Sequence, residues 1–315
     1  MAVNLARYDT EHGPRWVVVQ RNGVVSLSGE YPTTAALIEH GEDDWRGASR
    51  AATSAAFDPK RLLSPVTAPC RIFCQGANYR QHMLESGLDP DLKTFNMFFT
   101  KSDASISAAN GVVQRPAHVA LLDYEIELAL VFRRSVSSLI AVTPEKLKDY
   151  VFAITIANDI SARDVQLPQM QFFKGKSYRG FCPIGPWLTV LEPQEFALLD
   201  NLDLRLSVNG ALRQHDTTAN LVFKPAETIS ELSTFANIAP GDVLLTGTPS
   251  GCALRVPPPM IRRILQLLPE RKFWELFVSS QRRRPDYLKP GDSMAATIRS
   301  ADGRLDLGEQ TIRIE

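Results

Sequence analysis

Residues 121–132 read LLDYEIELALVF, and the spacing of their charges decides what kind of fold must surround them. Successive side chains of a strand point to opposite faces. Asp123, Glu125 and Glu127 therefore share one face, while Tyr124, Ile126, Leu128 and Leu130 share the other. Further along, the acidic face turns into Ala129 and Val131, so the carboxylates occupy a partly buried surface. At roughly 3.3 Å per residue, Glu125 and Glu127 stand about 7 Å apart along the strand, close enough to converge on one cation. Unpaired carboxylates in such a place are costly, and a divalent metal is the natural compensation. The plainer alternative is a solvent-facing acidic edge of an antiparallel strand.

Around this stretch, strand-length apolar runs recur from Cys70 onward: RIFCQG, YVFAITIAND, PIGPWLTV, LDLRLSVNG, GDVLLTGTPSG and GDSMAATIRS. Most alternate at period two and close on Gly or Pro, which predicts a strand-dominated unit. Within it only 143–149 and 226–235 look helical, the first with Thr143 as cap and Pro144 at the first helical position. Residues 1–65 look like a separate small unit: a hairpin from WVVVQ and GVVSL turning at Asn22 and Gly23, then a short helix and linker between Thr33 and Lys60. Residues 254–287 read as a helical insertion. Ile261, Ile264, Leu265 and Leu268 follow one helical stripe, and Phe273, Trp274, Phe277 and Val278 another beyond Pro269.

The 315 residues balance 35 basic against 35 acidic side chains, which argues against nucleic acid or an anionic membrane as partner. Arg282, Arg283 and Arg284 lack the aromatic platform and wider basic face that nucleic-acid binding needs. The N-terminal stretch has no secretory pattern and no apolar run is long enough to span a bilayer, so a cytoplasmic protein is expected. Cys70, Cys74, Cys182 and Cys252 form no CxxC pair and read as reduced, partly buried thiols.

Four further segments carry polar groups into this framework. YVFAITIANDISARDVQ runs a buried strand into Asn158 and Asp159; Asp159 could add a third oxygen ligand, and Arg163 a fork for a carboxylate. The alternative is Asp159 capping a turn and Arg163 pairing with Asp164. KGKSYRGFCPIGPW sets Lys176 before a turn, where it could stabilise an enolate or be an exposed loop lysine. GDVLLTGTPSG brings Thr246, Thr248 and glycine amides to a strand end without the lysine and helix of a phosphate loop. In GANYRQHMLESG, His82 and Glu85 lie on one helical turn, either a surface pair or a base with its orienting carboxylate.

Taken in order, GANYRQHMLE, FFTKSDASIS, LLDYEIELALVF, ANDISARDVQ, GKSYRGFCPIGPW, SVNGALRQ, PGDVLLTGTPSG and YLKPGDSM resemble the fumarylacetoacetate hydrolase family. The resemblance covers about residues 70–252 and resumes near 287. It implies an α+β, strand-rich chain with a mixed β-roll or β-sandwich catalytic domain (66–315), a small N-terminal α/β domain (1–65) and a homodimer. It implies one Mg²⁺ or Mn²⁺, with Ca²⁺ in some members, on Glu125, Glu127 and Asp159. His82 and Glu85 match a catalytic dyad on a mobile lid, and Lys176 the active-site lysine. Arg163, Gln166 and Thr248 match positions that contact substrate. Arg179 departs from the acidic residue that many relatives carry there.

The resemblance thus predicts a metal-dependent hydrolase of C–C bonds in acylpyruvate-type β-diketo acids, working through an enolate in the catabolism of aromatic or related carbon compounds. Three carboxylates and a dication leave one negative charge, which Lys176 and Arg163 overturn, suiting an anionic 2-oxo acid. A 2-oxo acid decarboxylase, isomerase or hydratase on the same site is the rival. A non-catalytic interaction protein docking through the insertion is the alternative of a different class, and the intact acids at 125, 127 and 159 argue against it.

Overall fold

The computed structural model describes residues 1–256, 260 and 267–315. Its organising strand is Ile126–Phe132, which pairs antiparallel with Val151–Asn158 on one side and Val243–Leu245 on the other. All seven residues of Ile126–Phe132 are buried, so the open acidic edge is ruled out. The alternation sorts two apolar layers. Ile126, Leu128, Leu130 and Phe132 enter one cluster with Ile154 and Ile156. Ala129 and Val131 enter a second with Phe152, Val243 and Leu245.

The first layer is closed by a five-stranded sheet ordered Ala211–Thr217, Leu202–Val208, Ser293–Ser300, Asp306–Ile314, Asn110–Val113. Leu202, Leu204, Leu206, Ile298 and Ile312 turn from it into the shared core. The larger sheet has 12 strands and mixes directions: Val243–Leu245 runs parallel to Ile72–Gly76, which is antiparallel to Met97–Lys101. Two facing sheets of mixed direction give the strand-rich α+β sandwich-like roll that the sequence predicts.

The N-terminal hairpin forms as Arg15–Gln20 and Gly23–Ser26, with Val3–Tyr8 beside it. Val3–Tyr8 also pairs with Leu188–Val190, so the hairpin extends the larger sheet. Two helices follow instead of the expected one, Thr34–His40 and Glu42–Arg50. The Thr33 side chain accepts from the Ala36 N–H and so fixes where the first begins.

The expectation of only two helical segments beyond the N-terminal unit fails. Residues 144–150 and Pro225–Leu232 are helical, but Arg80–Glu85, Arg163–Gln166 and Phe172–Lys176 are helices as well. Each has four to six residues, under two turns, too short for a periodic apolar stripe to reveal it. In the insertion, Glu270–Arg282 is a helix that buries Phe277 and Gln281. Leu268 precedes it in a bend, whereas Ile261, Ile264 and Leu265 lie outside the described residues.

Candidate active site

The register of the central strands builds the acidic cluster. Glu127 stands opposite Ala157 and Ile126 opposite Asn158, which carries Asp159 across from Glu125. Asn158 then locks the corner, its side-chain oxygen accepting the Glu125 N–H at 3.0 Å. The Asp159 N–H donates to the Glu125 carbonyl at 2.8 Å. Oxygens of Glu125, Glu127 and Asp159 come within 4.8 Å of one another, and all three side chains are buried.

Three cations are folded in with them. Lys176 Nζ donates to Glu125 Oε2 and to Asp159 Oδ2, each at 2.5 Å. Lys101 Nζ donates to Asp159 Oδ1 at 2.6 Å and to the Phe181 carbonyl at 3.0 Å. Arg163 donates from Nε to Asp123 at 2.9 Å, from Nη1 to Gln166 at 2.9 Å, and from Nη2 to Glu125. Asp164, the alternative partner for Arg163, instead accepts the Ala120 N–H. Four carboxyl groups (Asp123, Glu125, Glu127, Asp159) thus stand among three cations (Lys101, Arg163, Lys176).

Glu127 is the carboxyl group left without a cation. Its Oε2 accepts the Gly247 N–H at 2.6 Å, and no ion pair reaches it among the described residues. The glycine amide of the 241–251 segment therefore serves a carboxylate, where the sequence suggested a ligand. Burial, then the Asp159 and Glu125 charges, push the Glu127 carboxyl well above its ordinary range. Burial also pushes Glu125 up, but Arg163 and Lys176 outweigh it and hold Glu125 well below that range. A buried carboxylate with no counter-charge, beside two others, is a donor set that fits a hard divalent cation.

His82 reaches the same space from the helix Arg80–Glu85, and its Nδ1 is closed off from solvent without a hydrogen-bond partner among the described residues. Burial lowers its pKa from 6.5, so it stands neutral at neutral pH. Glu85 does not orient it. Glu85 Oε2 accepts from the Gly251 N–H and from Arg255 Nη1, both at 3.3 Å. The two share a helical turn, yet the insertion's first basic residue and the neighbouring loop draw the carboxylate away from the imidazole.

A cavity of roughly 230 Å³ joins these groups. His82, Glu125, Glu127, Arg163, Gln166, Lys176 and Thr248 line it on the polar side, and Phe99, Leu167, Phe172, Leu254 and Val256 on the apolar side. Asp159 lies behind in the carboxylate cluster and Glu85 points elsewhere. Thr248 Oγ1 donates to the Ile126 carbonyl and accepts from Gln214. The sequence reading missed Lys101. The available signal was a lysine closing the apolar strand Met97–Lys101, indistinguishable by pattern from an exposed strand end.

Comparison with known proteins adds a family pattern to this geometry. The family model described as fumarylacetoacetate (FAA) hydrolase C-terminal matches residues 71–314. Oxaloacetate tautomerase YisK of Bacillus subtilis is 37% identical over 209 residues, 64% of this chain and 66% of that relative's length. The fumarylacetoacetate hydrolase of Exiguobacterium antarcticum superposes with a TM-score of 0.72 at 26% identity, covering 99% of each chain. A 5-carboxymethyl-2-hydroxymuconate delta-isomerase from Mycobacterium smegmatis shares the fold, with a TM-score of 0.68 at 22% identity over 99% of this chain and 98% of the other.

Proposed function

Because the chain belongs to the fumarylacetoacetate hydrolase family, we propose that it enolises a small 2-oxo acid, interconverting keto and enol forms as a tautomerase or isomerase. The carrying observation is His82: a half-buried, neutral imidazole whose shielded Nδ1 has no partner among the described residues, facing the acid cluster while Glu85 is held elsewhere. Glu125, Glu127 and Asp159 would hold a divalent cation, Mg²⁺ or Mn²⁺ (or Ca²⁺), which supplies Lewis acidity to the carboxylate and keto oxygens of the substrate.

The chain's own groups account for the rest. His82 accepts the proton from the carbon beside the keto group and returns it at the other end of the enolate, so no net proton, electron or water is consumed. Lys176 holds its charge because Asp159 and Glu125 outweigh the cost of its burial, and it stabilises the developing oxyanion. Arg163 spends three nitrogens on Asp123, Glu125 and Gln166. Its remaining N–H groups, with Gln166 and Thr248, are the proposed contacts to the substrate. The apolar wall of Phe99, Phe172 and Leu254 excludes water from the enolate.

Hydrolysis of an acylpyruvate is the second reading, favoured by that same wall, which has room for an acyl tail. It requires His82 to activate water, a task in which an orienting carboxylate helps, and Glu85 is engaged with Arg255 and Gly251. One panel separates the two. Purified protein with Mg²⁺ or Mn²⁺ is given enol-oxaloacetate, followed by loss of the enol absorbance, and acylpyruvates, followed by release of pyruvate and a carboxylic acid. Acceleration of the first, lost about 100-fold or more in His82→Ala, supports the enolising reading. Cleavage without any tautomerase activity would replace it by hydrolysis. We further propose a homodimeric, cytoplasmic enzyme, the former tested by light scattering in solution.

A further inference from the structure

Cys252 ends the loop that follows Val243–Leu245, and it is a free, buried thiol. Its position is fixed from both sides. Gly251 precedes it with φ of +102°, where an added Cβ would meet the Arg213 carbonyl at 2.0 Å, so no other residue fits there. Gln214 Nε2 lies 3.6 Å from the sulfur while donating to Thr248 Oγ1 at 2.9 Å and to the Pro249 carbonyl at 3.0 Å. Across the cavity wall an imidazole nitrogen of His82, a carboxylate oxygen of Glu125 and the Cys252 sulfur lie within 4.8 Å of one another. His82 Nδ1, shielded and without a partner among the described residues, is the second and independent sign of an unfilled ligand position.

From this geometry we propose a second cation site formed by His82, Glu125 and Cys252, selective for a thiophilic divalent cation of the zinc and cadmium class. Nitrogen, sulfur and one oxygen are the donors such cations take, whereas magnesium, manganese and calcium prefer the all-oxygen set of Glu125, Glu127 and Asp159. Side-chain movements of about an ångström bring the three donors within reach of zinc bonds of about 2.0–2.3 Å. On binding, the sulfur–hydrogen bond breaks, its proton leaves to solvent and a sulfur–metal bond forms, with no change of oxidation state. Glu125 belongs to both sets, so the two cations exclude one another, and the thiophilic one also removes His82 from the reaction. The site is therefore inhibitory. Its inhibitory consequence rests on the proposed role of His82, whereas its occupancy does not.

The test titrates the whole protein, freed of other divalent cations by chelator and dialysis, with cadmium and follows thiolate-to-metal charge transfer in the ultraviolet. The expected result is a band that saturates at one cadmium per chain, vanishes in Cys252→Ser and persists in Glu127→Gln, which disables the all-oxygen site. No band in the natural protein, a band that survives Cys252→Ser, or one lost in Glu127→Gln overturns the site. Should Cys252→Ser fail to fold, His82→Gln keeps every sulfur and is expected to weaken cadmium about tenfold or more; unchanged affinity overturns the proposal. In the turnover assay, half-inhibition by zinc should move up at least tenfold in Cys252→Ser while its Mg²⁺-supported rate stays at the natural level. Zinc inhibition unaltered by Cys252→Ser overturns the inhibitory role. Because the charge-transfer band needs no turnover, an inactive protein that still binds cadmium would discredit the reaction and leave the site standing.

Discussion

Glu127 is the carboxylate whose protonation the fold most disturbs, and the disturbance has a direction that can be measured. Below pH 4.5, its ordinary value, folded and unfolded chains both carry the proton and the site costs nothing. Above it, the unfolded chain ionises while burial beside Asp159 and Glu125 keeps the folded chain protonated, so stability falls as pH rises towards the elevated folded pKa. Glu127→Gln removes that liability. In chelator, its melting midpoint should equal or exceed the natural protein's at pH 8, with the gap narrowing as pH approaches 4.5. A gain of about 1 kcal/mol corresponds to about 2–4 °C, and the variant should also lose stoichiometric Mn²⁺ binding. A variant that melts lower at pH 8 yet binds Mn²⁺ would remove Glu127 from the site. His82 titrates in the opposite sense: burial lowers its pKa from 6.5, so its neutral, proton-accepting form persists below that pH. The acid limb of kcat/KM should fall below pH 6.5; a limb above 6.5 would contradict the half-buried, neutral base.

Among the elements, the strand pair was readable in advance and the short helices were not. Alternation alone grouped Glu125 with Glu127, and a polar residue at the end of a buried strand pointed to Asp159; the Glu127–Ala157 register then joined them. Such information is local, and period two survives any tertiary context. Three other facts depend on distant partners: Lys101 meeting Asp159, Arg163 turned to Asp123, and Glu85 drawn to Arg255. No spacing in one sequence encodes them. The insertion shows the same division. Its second stripe became the helix Glu270–Arg282, but only the folded chain reveals that Gln281 grips Arg255, donating to its carbonyl at 3.0 Å while Tyr287 donates to Gln281 at 2.9 Å. That grip sets Leu254 and Val256 into the cavity wall. Replacing residues 257–285 by a Gly-Ser linker should free the wall and raise KM about tenfold for substrates with a large apolar tail. Mn²⁺ affinity should stay at its natural level. Steady-state kinetics across the panel checks this, and an unchanged KM for every substrate would take the insertion away from the entrance.

At the scale of the whole molecule, we propose that residues 1–65 form an N-terminal domain whose fold is completed by the body it joins. Leu5, Trp16, Val18, Leu37 and Trp45 share one apolar cluster with Ile72, Val131, Phe152 and Leu188. Val3–Tyr8 gives its backbone groups to Leu188–Val190 through the pairs Val3 with Val190 and Leu5 with Leu188. Removing 1–65 would leave Leu188–Val190 with a bare edge above an uncovered apolar face, a template for aggregation. The site itself is built wholly from residues after 70, among them His82, Glu125, Glu127, Asp159 and Lys176, so its chemistry does not need the N-terminal residues directly. A chain of residues 66–315 should therefore express as aggregate and recover when 1–65 is supplied as a separate co-expressed polypeptide. Metal binding and turnover should return together in the soluble complex. A 66–315 chain that stays soluble, melts cooperatively near the intact protein's midpoint and binds Mn²⁺ unaided would show that the shared cluster is dispensable. The boundary near residue 65 would then separate two independently stable units.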